Sequence, residues 1–536
     1  MNSTSPKISI KSRILFLSFI AILFFVYRYP YSIQKGPCSI HMWRQADCLS
    51  IVKNYLEDGF QFFKPSVHWT TIDNKNRIVS EFPIIYYIVA LTWRLFGQHE
   101  FIFRLINLSI VFIGLFYLFK LSYEILSDYF WSYYIPLFLF TSPIFVYYSN
   151  NFLMNAPSFG LVLIGFYCYW KFAKYSKPGF LYASILIFLF AGLLKVTALL
   201  SFTAIFLVHL ASHLKIIRNK LNLPCIGRLI HLIPMASIYF LIFIWILWAK
   251  EYNKQNISGI FLQGILPIWD AKNLPDGLYI GSQLYTELIP AYFNRTAFII
   301  IIALFIWLVL RFSKTPRYLF TLTAFCYLGA IGFILLFFKV FTVHDYYLTN
   351  LLIIIPLTLI TFLYYMKLNG INLFYSKNFR GMAIAALIFL IYHTMVIQRA
   401  KYDFKDTFVK HTIVLNDYTK KNLRSIHDEY DNRYKALSSI TPYLRKIGIE
   451  RTDHVISIPD QSPNITLYMM DQRGCTEYDL FGPDGGDRIK QFIKSGTKYL
   501  IIIDPEFLKK DYIQPFITNK IGEYKNVQIF ELSGVE

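Results

Sequence analysis

Residues 296–338 read TAFIIIIALFIWLVLRFSKTPRYLFTLTAFCYLGAIGFILLFF, two apolar runs joined by a turn that carries Arg311, Lys314 and Arg317. Each run has the length that a helix needs to cross about 30 Å of hydrocarbon. The stretch therefore predicts a membrane hairpin with a basic turn. Working outward, similar runs lie near 14–31, 101–121, 132–149, 157–173, 179–194, 196–212, 230–249, 348–366 and 381–398, which brings the expected total to about eleven spans. The composition agrees. The 536 residues are 55% hydrophobic and 16% charged, whereas soluble domains average about 45–50% and about 25%, and the mean hydropathy is +0.42.

The chain holds 53 Lys and Arg against 33 Asp and Glu. In a soluble protein that excess would point to nucleic acid; here it falls mostly in short loops between spans, so nucleic acid is not expected as a partner. Lys7, Lys11 and Arg13 precede the first run, which has no small-residue cleavage site and reads as an uncleaved helix. With the N-terminus inside, alternate loops hold Lys120; Lys171, Lys174 and Lys177; Lys215, Arg218, Lys220 and Arg228; Arg311, Lys314 and Arg317; and Lys367, Lys377 and Arg380, with Glu124 and Asp128 as the main acids. That is the positive-inside pattern of a multi-pass protein of the cytoplasmic (inner) membrane. An odd span count puts residues 32–100, 250–295 and the tail from Arg399 outside. Cys168 and Cys326 lie within apolar runs, and Cys38 and Cys48 are the one pair placed to bridge, although a bridge is not expected.

The tail, 401–536, is charged and alternates strand-type runs (His454–Ile458, Ile465–Met470, Tyr499–Ile503, Val527–Leu532) with helical stretches (Asp487–Lys494, Pro505–Ile517). This predicts a C-terminal extracytoplasmic α/β domain after a membrane domain over 1–400. The turn Asp460-Gln461-Ser462-Pro463-Asn464 reads as an ordinary connection or a loop facing a ligand.

The outer segment 32–100 is expected to carry surface helices. Met42, Ala46, Leu49, Val52 and Leu56 recur at helical spacing and Gly59 is placed to end the element, which predicts an amphipathic helix lying on the membrane surface. Arg44 and Asp47 are neighbours on one of its faces. Other ionisable groups border the expected spans at the same end: Glu81, Arg104, Lys195, and His344-Asp345 before Tyr346-Tyr347. Charges at membrane depth are costly and usually line a cavity. A base, several cations and aromatic rings on one face are what group transfer from a phosphate requires.

Taken together, His41-x-Trp43-Arg44-Gln45-Ala46-Asp47, Ser80-Glu81-Phe82-Pro83, Arg104-Leu105 and His344-Asp345-Tyr346-Tyr347 resemble the GT-C class of integral-membrane glycosyltransferases. The chain is similar to the glycosyltransferase family 39-like bacterial proteins, which are related to the lipid A aminoarabinose transferase and the protein O-mannosyltransferases, over about residues 10–400. The resemblance implies transfer, with inversion, from a polyprenyl-phosphate-linked sugar to a lipid, glycan or protein acceptor, among membrane lipids. It implies Asp47 as general base. Lys195, Arg104 and His344 become candidates for the donor phosphate, Arg44 for orienting Asp47, and His41, Glu81, Asn155, Asp345 and Tyr346 for substrate. A second family site has Pro-x-x-x-Tyr-x-Arg leading to Asp; this chain runs from Pro143 to Asn155 with Asn150 or Asn151 in place of Arg and Asn155 in place of Asp. An amide cannot act as a carboxylate base, so either Asn155 positions substrate or the second acid is dispensable. No cofactor requirement is visible. Two other classes fit a polytopic chain, a lipid or glycan transporter (flippase) and a non-catalytic envelope assembly protein. Transporters favour repeated halves and midplane charges, and neither is evident here.

Overall fold

Inside a bilayer, an apolar run must satisfy its backbone groups internally and so folds as a helix. The computed structural model describes residues 8–217, 223, 227–256, 264–271, 274–342, 344–480 and 484–532. Arg218, Lys220 and Lys272 lie outside them. Two compact units arise from interleaved segments: the first from Met1–Ile33, Arg104–Leu247 and Gln263–Gln398, the second from Gln34–Phe103, Trp248–Leu262 and Arg399–Glu536. One crossing falls at 398/399, and the segment from Gln34 to Phe103 clusters with the tail.

In the described residues six helices are long and apolar enough to cross a membrane: Glu100–Leu126, Val196–His213, Leu229–Asn256, Arg317–Leu336, Asp345–Leu368 and Lys377–Tyr402. A seventh span arises if Tyr129–Leu139 and Pro143–Ser149, bent by 77° at their break, are taken together. Ile10–Val26 and Pro178–Leu194 have 17 residues each and Arg295–Leu310 has 16. At 1.5 Å per residue these rise about 25 Å, at the lower end of what a crossing requires. The protein is thus a polytopic helical membrane protein, in which six or seven spans meet the length criterion among the described residues. Within the first unit, the Glu100–Leu126 and Asn155–Tyr175 helices approach most closely at Gly114 and Gly160, where a Cβ on Gly114 would lie 2.6 Å from the Gly160 carbonyl oxygen. Small residues permit such crossings in membranes. The two acids of the basic loops are neutralised locally: Glu124 takes Lys171 at 2.9 Å and Lys174 at 3.3 Å, and Asp128 takes Arg380 at 2.7 Å.

The second unit is built on a five-stranded sheet of β1 (His454–Ile458), β2 (Arg473–Thr476), β3 (Tyr499–Ile502), β4 (Lys520–Tyr524) and β5 (Val527–Glu531), in the order β2-β1-β3-β5-β4. β1 runs parallel to β2 and β3, while β5 is antiparallel to β3 and β4. Ile456, Leu500, Ile502 and Phe530 pack under the Gly485–Lys494 helix through Ile489 and Phe492. The α/β character of the tail agrees with expectation, and three details do not. Ile465–Met470 is a helix, because the Asp460 carboxylate and Ser462 hydroxyl accept the N–H groups of Thr466 and Ile465 at its start. Pro505–Ile517 breaks into two 3-10 turns, Pro505–Lys509 and Gln514–Phe516. β2 and β4 were not foreseen.

The sheet is extended from outside the tail. Residues 68–70 lie along β2, with Thr70 N–H donating to the Gly474 carbonyl at 2.7 Å and Gly474 N–H to the His68 carbonyl at 3.3 Å. Gly474 has φ +148, and a Cβ there would overlap the Val455 carbonyl. Only glycine serves at that point.

Candidate functional site

The Met42–Glu57 helix of the second unit forms as the sequence predicts and ends before Gly59, at φ +95. It does not lie exposed on a surface. Arg44, Gln45, Asp47, Ser50, Lys53 and Asn54 are buried along with its apolar residues, because the tail supplies partners for its polar face. His41, half-buried at φ +55, starts the helix and its carbonyl accepts the Gln45 N–H.

One turn in, Arg44 and Asp47 meet as the three-residue spacing requires. Arg44 Nη1 donates to Asp47 Oδ2 at 3.2 Å and Nη2 to Glu81 Oε1 at 3.1 Å. Glu81, just before the Ile84–Phe96 helix, also accepts from Tyr86 Oη at 2.9 Å and from Ser80 Oγ. Tyr86 Oη in turn lies 3.4 Å from Cys48 Sγ. Asp47 is 2% exposed. Burial raises its pKa to about 6; the Arg44 charge and hydrogen bond and a hydrogen bond from Asn464 oppose the rise, and the Glu81 charge adds to it. Asn464, from the turn flagged in the tail, donates weakly to the Ala46 carbonyl at 3.5 Å and accepts the Trp69 N–H at 3.2 Å. The result is a carboxyl group that changes charge near neutrality, as suits a general base.

A second network holds the same helix. Ser50 Oγ accepts the His68 N–H at 2.8 Å and lies 2.6 Å from His68 Nδ1, while His68 Nε2 faces Asp471 Oδ1 at 3.3 Å. The hydroxyl proton therefore goes to Nδ1, and Nε2 carries the ring proton towards the carboxylate. Burial lowers the His68 pKa to about 4, so the ring is neutral at pH 7. The arrangement has the residue types of a hydrolase triad; Ser50 and His68 are both wholly buried, and the network braces the helix. Asp471 also takes Lys53 at 3.1 Å and Arg451 at 3.0 Å. Burial alone would raise its pKa, yet His68 and Lys53 together hold it well below the usual carboxylate range.

That depression has a stability consequence. A carboxylate whose folded pKa is depressed contributes fully above its unfolded value of about 3.9 and loses the contribution as pH falls towards the folded pKa. Asp471→Asn is expected to destabilise the second unit by about 2–3 kcal/mol at neutral pH. Thermal unfolding of the full chain in detergent should show the gap between wild type and variant narrowing below about pH 4. A gap independent of pH would mean that the ion pairs contribute nothing.

In the first unit the other expected residues gather around a break in the helices. Lys195 is extended, φ −151, between Pro178–Leu194 and the turn Val196–Ala198, and its Nζ lies 5.8 Å from the ring centroids of both Tyr346 and Tyr347. Those rings stack at 5.0 Å, with His344 at 5.2 Å from Tyr346 and 5.9 Å from Tyr347. Asp345 Oδ1 accepts from Tyr148 Oη. Asn155, first residue of its helix, donates to the Tyr346 carbonyl at 3.0 Å. Arg104 stands differently: wholly buried, it donates to the Asn150 carbonyl and lies 4.1 Å from the Phe152 ring centroid. Asn107 holds the Asn151 carbonyl at 2.8 Å in the same bend.

Each unit thus carries one cluster: Arg44, Asp47 and Glu81, with His41 at the helix start, in the second; Asn155, Lys195, His344, Asp345 and Tyr346 in the first. Tyr86, Asn464, His68, Asp471 and Tyr148 join them without having been singled out, apart from the turn holding Asn464. Among the described residues no group of three or more His, Cys, Asp or Glu side chains is placed to hold a metal ion. Cys38 and Cys48 are both buried free thiols.

No protein-family model matches the sequence, and no curated protein matches it in sequence. Solved structures do match. The chain superposes on ArnT from Cupriavidus metallidurans bound to undecaprenyl phosphate with a TM-score of 0.55 and 10% identity, covering 97% of this chain and 98% of that one. The apo structure of the same protein gives 0.53 and 10%, covering 97% of each. The chain has a GT-C fold. The GT-C likeness spans both units, since only 3% of the chain falls outside it.

Proposed function

We propose that this chain is a glycosyltransferase that moves a sugar from a polyprenyl phosphate to a lipid, glycan or protein acceptor on the outer face of the cytoplasmic membrane. The observation that carries the reading is Asp47, a buried carboxyl group held by Arg44 beside Glu81 and ionising near neutrality. The fold adds weight, because its solved neighbour was captured with undecaprenyl phosphate.

In this mechanism Asp47 takes the proton of the acceptor hydroxyl as its oxygen attacks the anomeric carbon. The bond from that carbon to the phosphate oxygen breaks, and the polyprenyl phosphate leaves as an anion. Attack opposite the leaving group inverts the anomeric centre. Lys195, set against Tyr346 and Tyr347, stabilises the departing phosphate, with His344 beside it. Arg104, wholly buried against the Asn150 carbonyl and the Phe152 ring, ranks below them. Asn155 positions substrate through the Tyr346 backbone rather than acting as a second base. The bent helix pair is a feature that favours a transporter. It is outweighed by the placement of the Asp47 cluster on a helix that is not among the spans.

The deciding experiment incubates purified protein in detergent with radiolabelled polyprenyl-phosphate sugars and membrane lipid extract. Transfer without nucleotide sugar supports the reading; turnover of a nucleotide sugar alone removes it.

The proposed orientation has the N-terminus inside, about eleven crossings, and the tail outside. Single cysteines at Lys174 and Lys314 should then resist an impermeant thiol reagent in intact cells, and one at Lys490 should react. Equal labelling of all three would overturn the topology.

A further inference from the structure

Besides the acid cluster, the second unit carries a cleft of about 320 Å³ at the C-terminal end of the Met42–Glu57 helix. Small-ligand pockets begin at about 300 Å³. Its walls are polar: Asn54, Asp58, Gln61, Lys64, Arg77 and Arg473 all face it. The charges do not balance. Asp58 is shared between Arg451 and Arg473, while Lys64 and Arg77 have no ion pair among the described residues. Both are exposed, and an antiparallel bridge between Ser66 and Arg77 fixes the backbone between them. The floor is firm, with Asn54 Nδ2 donating to Ser66 Oγ at 3.2 Å and Arg451 donating to Asn54 Oδ1 at 2.8 Å.

The cleft is in register with the acid. Asn54 and Asp58 follow Asp47 by seven and eleven residues, which returns them to the same face of the helix. At 1.5 Å per residue they stand about 10–16 Å from Asp47 along the axis, the reach of a short oligosaccharide. A pocket of this size, rich in amide and carboxylate partners for hydroxyl groups and carrying two uncompensated cations, matches a sugar that bears a negative charge.

We propose that the cleft lined by Asn54, Asp58, Gln61, Lys64 and Arg77 binds an anionic saccharide, whose carboxylate or phosphate is taken by Lys64 and Arg77. That this saccharide belongs to the acceptor rests on the transferase reading above; that the cleft binds it does not. The anion has two chemical sources, an acidic sugar of a glycan and a phosphosugar of a lipid headgroup, and the probes separate them.

Equilibrium binding to the full-length protein in detergent is measured for trigalacturonic acid, glucosamine 1-phosphate, maltotriose and inorganic phosphate. At least one of the two anionic sugars should bind saturably, the stronger naming the source, and maltotriose should bind at least about tenfold more weakly. Lys64→Ala with Arg77→Ala should weaken the anionic sugar by about tenfold or more while leaving thermal unfolding unchanged, since both side chains are exposed. Binding unaffected by the double variant, equal binding of maltotriose, equal binding of inorganic phosphate, or no binding of either anionic sugar would each overturn the proposal. None of these readouts depends on turnover, so they stay distinguishable from a failure of the transfer assay.

Discussion

Asp47→Asn is expected to lower the rate of sugar transfer by about 100-fold or more, the scale of a lost general base. The amide keeps the volume of the carboxyl group and can still accept from Arg44, so expression and thermal stability should stay close to wild type. The pH profile supplies the second check. A base works only when ionised, and burial sets the Asp47 pKa at about 6, so wild-type activity should fall on the acid side of that value. The Glu81 charge raises this pKa; Glu81→Gln should therefore move the acid limb to lower pH, whatever it does to the maximum rate. An Asp47→Asn enzyme with wild-type turnover would reduce the cluster to a buried ion pair, and with it the proposed mechanism.

Lys195→Ala is expected to act on the donor. A hydrogen bond to a charged group contributes about 1.5–3 kcal/mol, which corresponds to about 10–150-fold in kcat/KM for the polyprenyl-phosphate sugar. The acceptor KM should change little, and Lys195→Arg should restore part of the loss. The geometry explains why one lysine can matter this much. Its backbone is extended between two helices, and its ammonium group lies beside the stacked rings of Tyr346 and Tyr347, which holds the charge in place. Equal losses for donor and acceptor would assign Lys195 a structural role instead.

Contacts within one turn of chain were readable in advance, and contacts across the chain were not. The Arg44–Asp47 pair follows from helical spacing alone, and the strands expected at His454–Ile458, Tyr499–Ile503 and Val527–Leu532 follow from short apolar runs bounded by polar residues. Ile465–Met470 misled because a short, largely apolar run suits a strand or a buried helix equally; the capping by Asp460 and Ser462 decides it. The reading of the Met42–Glu57 helix as a surface element failed for a different reason. Its polar face is matched by Asp471, Arg451 and Asn464, more than 390 residues away, and nothing local announces them. The same holds for Tyr148 and Asp345, 197 residues apart. The ends of the spans were not legible either, because hydropathy marks where a chain is apolar, whereas helix length also depends on breaks such as the ones at Lys195 and between Leu139 and Pro143.

The strand-like addition of residues 68–70 to β2 has a consequence for how the protein is made. His68 and Asp471 are 403 residues apart, and ribosomes add about 5–20 residues per second. The segment carrying Asp47 therefore emerges about 20–80 s before the strand that braces it, with Lys53, Asn54 and His68 still lacking their partners in the tail. Throughout that interval the nascent chain holds its ionisable residues in water or against the membrane surface, and Asp47 keeps the ionisation of an ordinary solvated carboxylate. The buried setting of the Met42–Glu57 helix is complete only after the tail has arrived, which makes it a late event of biosynthesis.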